Sequence, residues 1–190
     1  MTTFLVVLVV LVGAVAVLNL LLTVGVIRRL RQHSERLSTM SAIDAPMGEM
    51  VLSAGERVGE FAESTTDGEP VSRELLSGQT LVGVFSPDCG ACKEQLPKFV
   101  SRAAQFAGGR GQVLAVLTGD AEQVEPYRQQ LAPVARVVIE APMDGPIASA
   151  LKVQGWPAYA VLDGAGMVVA SGFSIDRLPV VTAAGATAVA

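Results

Sequence analysis

Two cysteines, Cys89 and Cys92, are the only ones among 190 residues, and they stand three apart in the run Phe85-Ser86-Pro87-Asp88-Cys89-Gly90-Ala91-Cys92. At that spacing two thiols can close a disulfide with each other, and either becomes a nucleophile wherever its thiolate is favoured. Leu81 to Phe85, just before them, is a short apolar run that suits a buried strand. After them Leu96, Phe99, Val100 and Ala103 follow the i, i+3, i+4, i+7 rule, which predicts an amphipathic helix from Gly90 to about Phe106. The pair therefore falls where a strand hands over to a helix. Free backbone N–H groups and the positive end of the helix dipole stabilise a thiolate at such a place. Cys89, at the tip, is the candidate nucleophile; Cys92, nearly one turn inside, can attack a mixed disulfide formed by Cys89. The plainer readings are an inert disulfide or two buried thiols, but a bridge across so short a loop contributes little as a staple.

Other chemistries are short of residues. His33 is the single histidine and lies far from the cysteines in sequence, so a Ser-His or Cys-His pair within the later part of the chain is not available. A tetrahedral zinc site lacks its usual ligands, and no metal or cofactor is expected. Charge is divided unevenly. Residues 1–40 hold Arg28, Arg29, Arg31 and Arg36 against Glu35, whereas the rest of the chain has ten basic and seventeen acidic residues. An acidic domain without a basic stripe is poorly suited to nucleic acid, where phosphate neutralisation supplies most of the affinity.

The elements that must hold the cysteines can be read from the apolar pattern. Phe61 to Thr66 followed by Asp67-Gly68 predicts a strand and hairpin turn, and Arg73 to Leu76 closed by Gly78 predicts one helical turn. Val113 to Leu117 and Ala135 to Ile139 read as strands, Glu122 to Leu131 and Pro146 to Leu151 as helices, and Ala158 to Leu162 with Met167 to Ser171 as a terminal hairpin. Strand alternating with helix implies an α/β fold with a mixed sheet flanked by helices. Upstream, Phe4 to Ile27 is a stretch of 24 residues without a charge. As a helix it would be about 36 Å long, enough to cross the roughly 30 Å hydrocarbon core. It lacks the basic start, short apolar core and cleavage site of a secretory signal, so the expectation is a single transmembrane anchor over residues 4–27. A juxtamembrane segment and linker then covers 28–57, the catalytic domain 58–180 and an Ala-rich tail 181–190.

Cys89-Gly90-Ala91-Cys92, then Lys93 and Pro97, with Gly155-Trp156-Pro157 directly before an apolar strand, resembles the thioredoxin superfamily. The arrangement from Val58-Gly59-Glu60-Phe61 through Asp67-Gly68 and Leu81 to Phe85 is similar to its TlpA-like branch, membrane-tethered disulfide reductases related to the redoxin and alkyl-hydroperoxide-reductase domain. Ser86-Pro87-Asp88-Cys89, with Arg31-Gln32 after the anchor, looks most like the methylamine-utilisation family of MauD. The resemblance implies a thioredoxin-like domain that reduces or exchanges protein disulfides through Cys89 and Cys92. It also implies that Pro157 is a cis proline facing the pair, that Trp156 beside it belongs to the substrate-binding stretch, and that Pro97 interrupts the long helix. Partners would be protein dithiols or disulfides, an electron donor that the sequence does not name, and the membrane.

Four departures matter. Gly83 matches a position where thioredoxin has a buried carboxylate, and Gln95 one where many reductases of this branch have glutamate. The deprotonation of Cys92 is left to water, Lys93, Glu94 or Asp88. Asp88 stands in the place usual for tryptophan, and its charge is expected to oppose a thiolate at Cys89. The inner pair Gly90-Ala91 lacks the common proline. A tethered redox sensor, a metallochaperone or a peroxiredoxin-related antioxidant are the rival readings; no threonine precedes Cys89 as a peroxiredoxin would require. The arginines after the anchor argue for a cytoplasmic domain by the positive-inside rule, whereas the resemblance implies an extracytoplasmic one, which is the expectation adopted here.

Overall fold

The chain divides into two units, Met1–Ile43 and Asp44–Ala190. The computed structural model describes residues 51–141 and 145–179 of the second unit, and of the first only Leu11 and Gly13, which are helical. Among the described residues no helix is long and apolar enough to cross a membrane. The expected anchor over 4–27 is otherwise outside them, as are residues 28–50 and the tail.

Within the second unit, a small hairpin, β1 (Ala62–Ser64) and β2 (Pro70–Ser72), precedes a five-stranded sheet. That sheet consists of β3 (Thr80–Phe85), β4 (Val113–Thr118), β5 (Arg136–Glu140), β6 (Ala158–Leu162) and β7 (Val168–Gly172), in the order β5-β4-β3-β6-β7. β3, β4 and β5 run parallel, connected through the helices α1 (Gly90–Ala104) and α2 (Ala121–Leu131); β6 and β7 are antiparallel. A short helix, α3 (Pro146–Ala150), leads toward β6. Each strand and helix expected between Phe61 and Ser171 is present, and the mixed sheet is the expected one.

The central strands are buried along their whole length, which is why they read as unbroken apolar runs. Their side chains alternate between two cores. Leu81, Phe85, Val113, Ala115, Leu117, Tyr159 and Val161 face one core with α1 and α2. Val82, Val84, Leu114, Val116, Ala158, Ala160 and Leu162 face the other, closed by Phe61, Val71 and α3. Two single-turn helices, Gly109–Gln112 and Ile175–Arg177, have no signature in the sequence, being too short to show a period.

Val51 to Arg57, assigned by its polar composition to the linker, lies against this body. Val51 and Leu52 are buried, and Leu52 N–H donates to Leu151 O at 3.0 Å. Gly55 N–H donates to Val168 O, Val168 N–H to Glu56 O and Val58 N–H to Gly166 O, all at 2.8–2.9 Å. These contacts are made mainly by backbone, which is why composition conceals them.

At the end of β5 stands a buried acid. The Glu140 carboxylate accepts Ile147 N–H at 2.6 Å and Ala148 N–H at 3.1 Å, holding the first turn of α3. Burial pushes its pKa above the ordinary 4.5, against the two N–H groups that lower it. A raised folded-state pKa favours folding below the unfolded value, and that contribution is lost as pH rises through the folded value. Wild-type stability should therefore fall relative to Glu140→Gln between about pH 4 and neutrality. Urea unfolding at both pH values measures this, and an equal gap between the two proteins at each pH would refute it.

Candidate active site

The two cysteines sit where β3 ends and α1 begins. Cys89 is the N-cap of α1, in extended conformation, and its Sγ accepts the Cys92 N–H at 3.2 Å. Cysteine thus does here what Ser or Asp usually does, satisfying one of the free N–H groups of the first turn. The loop is held from below: Cys89 N–H donates to Ser86 O at 3.2 Å, and Thr118 Oγ1, buried at the end of β4, donates to Phe85 O at 3.2 Å. Gly119 follows; a Cβ there would come within 3.2 Å of the Pro87 ring, so glycine lets the loop settle on β4.

Both cysteines are free thiols with different surroundings. Cys89 is partly exposed and Cys92 is fully buried, with 0% of its surface accessible. The hydrogen bond from Cys92 is the largest cause that lowers the Cys89 pKa, to about 7; the N–H groups of Cys92 and Ala91 add to it, and partial burial works against it. Cys92 moves the opposite way, pushed far up by its hydrogen bond to Cys89 and by burial. One thiol is therefore ready to attack near neutrality and the other keeps its proton until the first has reacted. Alkylation of Cys89 by iodoacetamide should rise with pH through a midpoint of about 7, with Cys92 unmodified in the folded protein; a midpoint near the ordinary thiol value of about 8.5 would count against this arrangement.

Sixty-seven residues further on, the chain returns to the pair. Cys89 Sγ donates to the Trp156 carbonyl oxygen at 3.3 Å, and the Trp156–Pro157 peptide bond is cis. Cys89, Cys92, Trp156 and Pro157 are thus brought to one place, with the backbone carbonyl of Trp156 meeting the Cys89 sulfur. Gly90 is exposed and Ala91 half-buried in the first turn. Pro97 lies inside α1 on its exposed side. Asp88 is exposed too, and the charge expected to oppose the Cys89 thiolate is not among the groups that set its pKa. Lys93 and Glu94 are likewise exposed, whereas the Cys92 between them and Cys89 is buried. At Gly83, where a carboxylate was missed in the sequence, the space is taken: a Cβ would lie 2.6 Å from the Phe99 ring and 2.9 Å from that of Phe85. Among the described residues no group of three or more His, Cys, Asp or Glu is placed to hold a metal ion.

The fold that carries these residues is shared with known proteins. Residues 54–171, more than half of the chain, match the model of the AhpC/TSA family. The chain belongs to the AhpC/TSA family. No curated protein matches it by sequence. Among solved structures it is similar to the thioredoxin domain of a thiol-disulfide oxidoreductase from Bacteroides vulgatus, at 17% identity and TM-score 0.54, over 66% of this chain and 91% of that one. It is also similar to a thio-disulfide isomerase from Thermus thermophilus, at 23% identity and TM-score 0.52, over 65% of this chain and 87% of that one. This family member therefore has the thioredoxin-like fold of thiol-disulfide oxidoreductases, as the sequence led us to expect.

Proposed function

We propose that this chain is a membrane-anchored thiol-disulfide oxidoreductase that acts on protein disulfides through Cys89 and Cys92. The observation that carries the reading is the asymmetry of the pair: a partly exposed thiol with its pKa lowered to about 7 next to one that is wholly buried. Cys89 attacks a substrate disulfide, releasing one substrate sulfur as a thiolate and leaving a mixed disulfide. Cys92 then loses its proton, attacks Cys89 Sγ and expels the second substrate sulfur. The substrate gains two electrons and the cysteine pair is oxidised to a disulfide. An extended substrate segment would pair with the backbone at Trp156 and Pro157.

The finer assignment is to the TlpA-like branch, close to MauD, with a transmembrane helix over 4–27 and the catalytic domain outside the cytoplasm. A tether is useful there, where soluble cytoplasmic reductants do not reach. An insulin-reduction assay with dithiothreitol tests the activity: the wild type is expected to accelerate precipitation, and Cys89→Ser to leave the uncatalysed rate. Labelling of Cys89 in intact cells by a membrane-impermeant maleimide tests the side of the membrane, since protection until lysis would place the domain inside.

A further inference from the structure

Glu140, the last residue of β5, is the one charged side chain buried among the described residues, at 4% exposed. A carboxylate gives up its hydration in such a place, and a serine or asparagine ahead of Pro146 could cap so short a helix without burying a charge. The fold nevertheless closes on this side chain. Its two oxygens take separate N–H groups, Oε1 that of Ile147 at 2.6 Å and Oε2 that of Ala148 at 3.1 Å. Gly145 passes so close above it that an added Cβ would stand 2.6 Å from the carboxyl carbon.

Two short paths lead from Glu140 to Cys89. One runs through α3. Ile147 O accepts Leu151 N–H at 3.0 Å, Ala148 O accepts Val153 N–H at 2.9 Å, and Ser149 O accepts Lys152 N–H at 2.9 Å. With Lys152 in the left-handed region at φ 54°, these bonds form a Schellman exit, which fixes the direction in which the chain leaves the helix. Three residues after Val153, the Trp156 carbonyl oxygen meets Cys89 Sγ at 3.3 Å. The other path is backbone. Glu140 O accepts Gly119 N–H at 3.1 Å, Gly119 lies against the Pro87 ring, and Ser86 O accepts Cys89 N–H at 3.2 Å. The nucleophile and the carbonyl that faces it are thus both tied to one residue.

Resting on the oxidoreductase reading above, we propose that Glu140 is a positioning residue for the substrate-binding stretch: its carboxylate sets the orientation of α3 and, through the Schellman exit, the place of the Trp156 carbonyl opposite Cys89. The side chain bonds to α3, whereas the sulfurs take their donors from α1. A change at its tip leaves the bond from Gly119 to the Glu140 carbonyl in place, since that bond is backbone. It therefore moves the Trp156 side of the site and spares the Cys89 side. Docking of a client backbone and reactivity of the thiol become separable quantities.

The test uses the full-length chain in detergent and two variants. Glu140→Gln offers one carbonyl oxygen where the carboxylate offers two acceptors, and Glu140→Asp keeps the charge on a side chain one methylene shorter. In insulin reduction with dithiothreitol, KM is expected to rise roughly tenfold in either variant, within the hundredfold that a misplacement of about 1 Å can cost. The turnover number should change far less, the pattern of binding lost equally from ground and transition states. A second reading is independent of activity. Trp156 is the only tryptophan and its indole Nε1 is buried, so displacement of this stretch should make its emission more open to quenching by acrylamide. A cap of purely local effect would lower the melting temperature and leave KM and quenching at their wild-type values; that result overturns the proposal. Should Glu140→Gln not fold, Glu140→Asp decides by the same two readings. A wild type that does not reduce insulin overturns the oxidoreductase reading, while the quenching comparison still decides whether Glu140 positions Trp156.

Discussion

Replacing Cys92 with serine is expected to stop turnover after a single bond exchange and to leave the substrate attached to Cys89. The fall in insulin reduction should be about a thousandfold or more, because an external thiol must then replace a neighbour held in the reacting geometry, whose effective concentration is very large. Cys89 keeps its exposure and its two N–H donors in this variant, so the first attack survives and a covalent adduct accumulates. Serine still offers an O–H donor at position 92, so the kind of hydrogen bond that contributes most to the lowered Cys89 pKa is retained. Mass spectrometry of the reaction mixture would show the adduct, and dithiothreitol would remove it. Cys89→Ser should give neither turnover nor adduct. An adduct on Cys92 in that second variant would mean that the buried thiol is the nucleophile, and would reverse the roles.

Gly83→Ala is expected to destabilise the fold by roughly 1–3 kcal/mol, the usual cost of forcing an extra methyl group into a packed core. The added Cβ would meet Phe99 at 2.6 and 2.8 Å and Phe85 at 2.9 Å. These rings cannot withdraw cheaply, because Phe85 and Phe99 are packed edge to face at 5.1 Å and both contact the Tyr159 ring. A fall in melting temperature of roughly 4–12 °C follows, at about 4 °C per kcal/mol for a domain of this size, measured by circular dichroism on the reduced protein. Aspartate at the same position should be worse, since a buried carboxylate would join the same clash. An unchanged melting temperature in Gly83→Ala would show that the aromatic trio is loosely packed, and would remove the steric reason for the missing acid.

The parts of this molecule that follow from local pattern were legible in advance. Leu81 to Phe85 reads as a buried strand because both faces of the sheet are covered, and Leu96, Phe99 and Ala103 mark the face of α1 that meets it. The cysteine pair was placed at the strand-to-helix junction by the same pattern. What depends on contacts distant in sequence was not legible from composition or period. The approach of Trp156 to Cys89 was expected only through resemblance, since nothing local to Gly155-Trp156-Pro157 says which loop it faces. The opposition of Gly83 and Tyr159 is a matter of strand register across seventy-six residues. Tyr159 carries the one polar tip in Ala158–Leu162, and because a tyrosine in a strand is ordinarily a core side chain with its hydroxyl satisfied, nothing local marks this hydroxyl as unpartnered among the described residues. Asp88 stands next to Cys89 in the sequence and is exposed, and its charge is not among the groups that set the Cys89 pKa.

The backbone bonds from Gly55, Glu56 and Val58 to residues 166–168 occupy part of the outer side of β7, and Thr66 N–H donates to Val137 O at 2.7 Å on the outer side of β5. Both rims of the sheet are thus partly taken by the chain's own backbone. An uncovered rim is a template on which a second molecule can add a strand, and from there aggregate. A chain that exchanges protein disulfides, as proposed above, meets other polypeptides at close range and is open to that outcome. The bonds at Val168 and Val137 leave less of either rim open to such an addition.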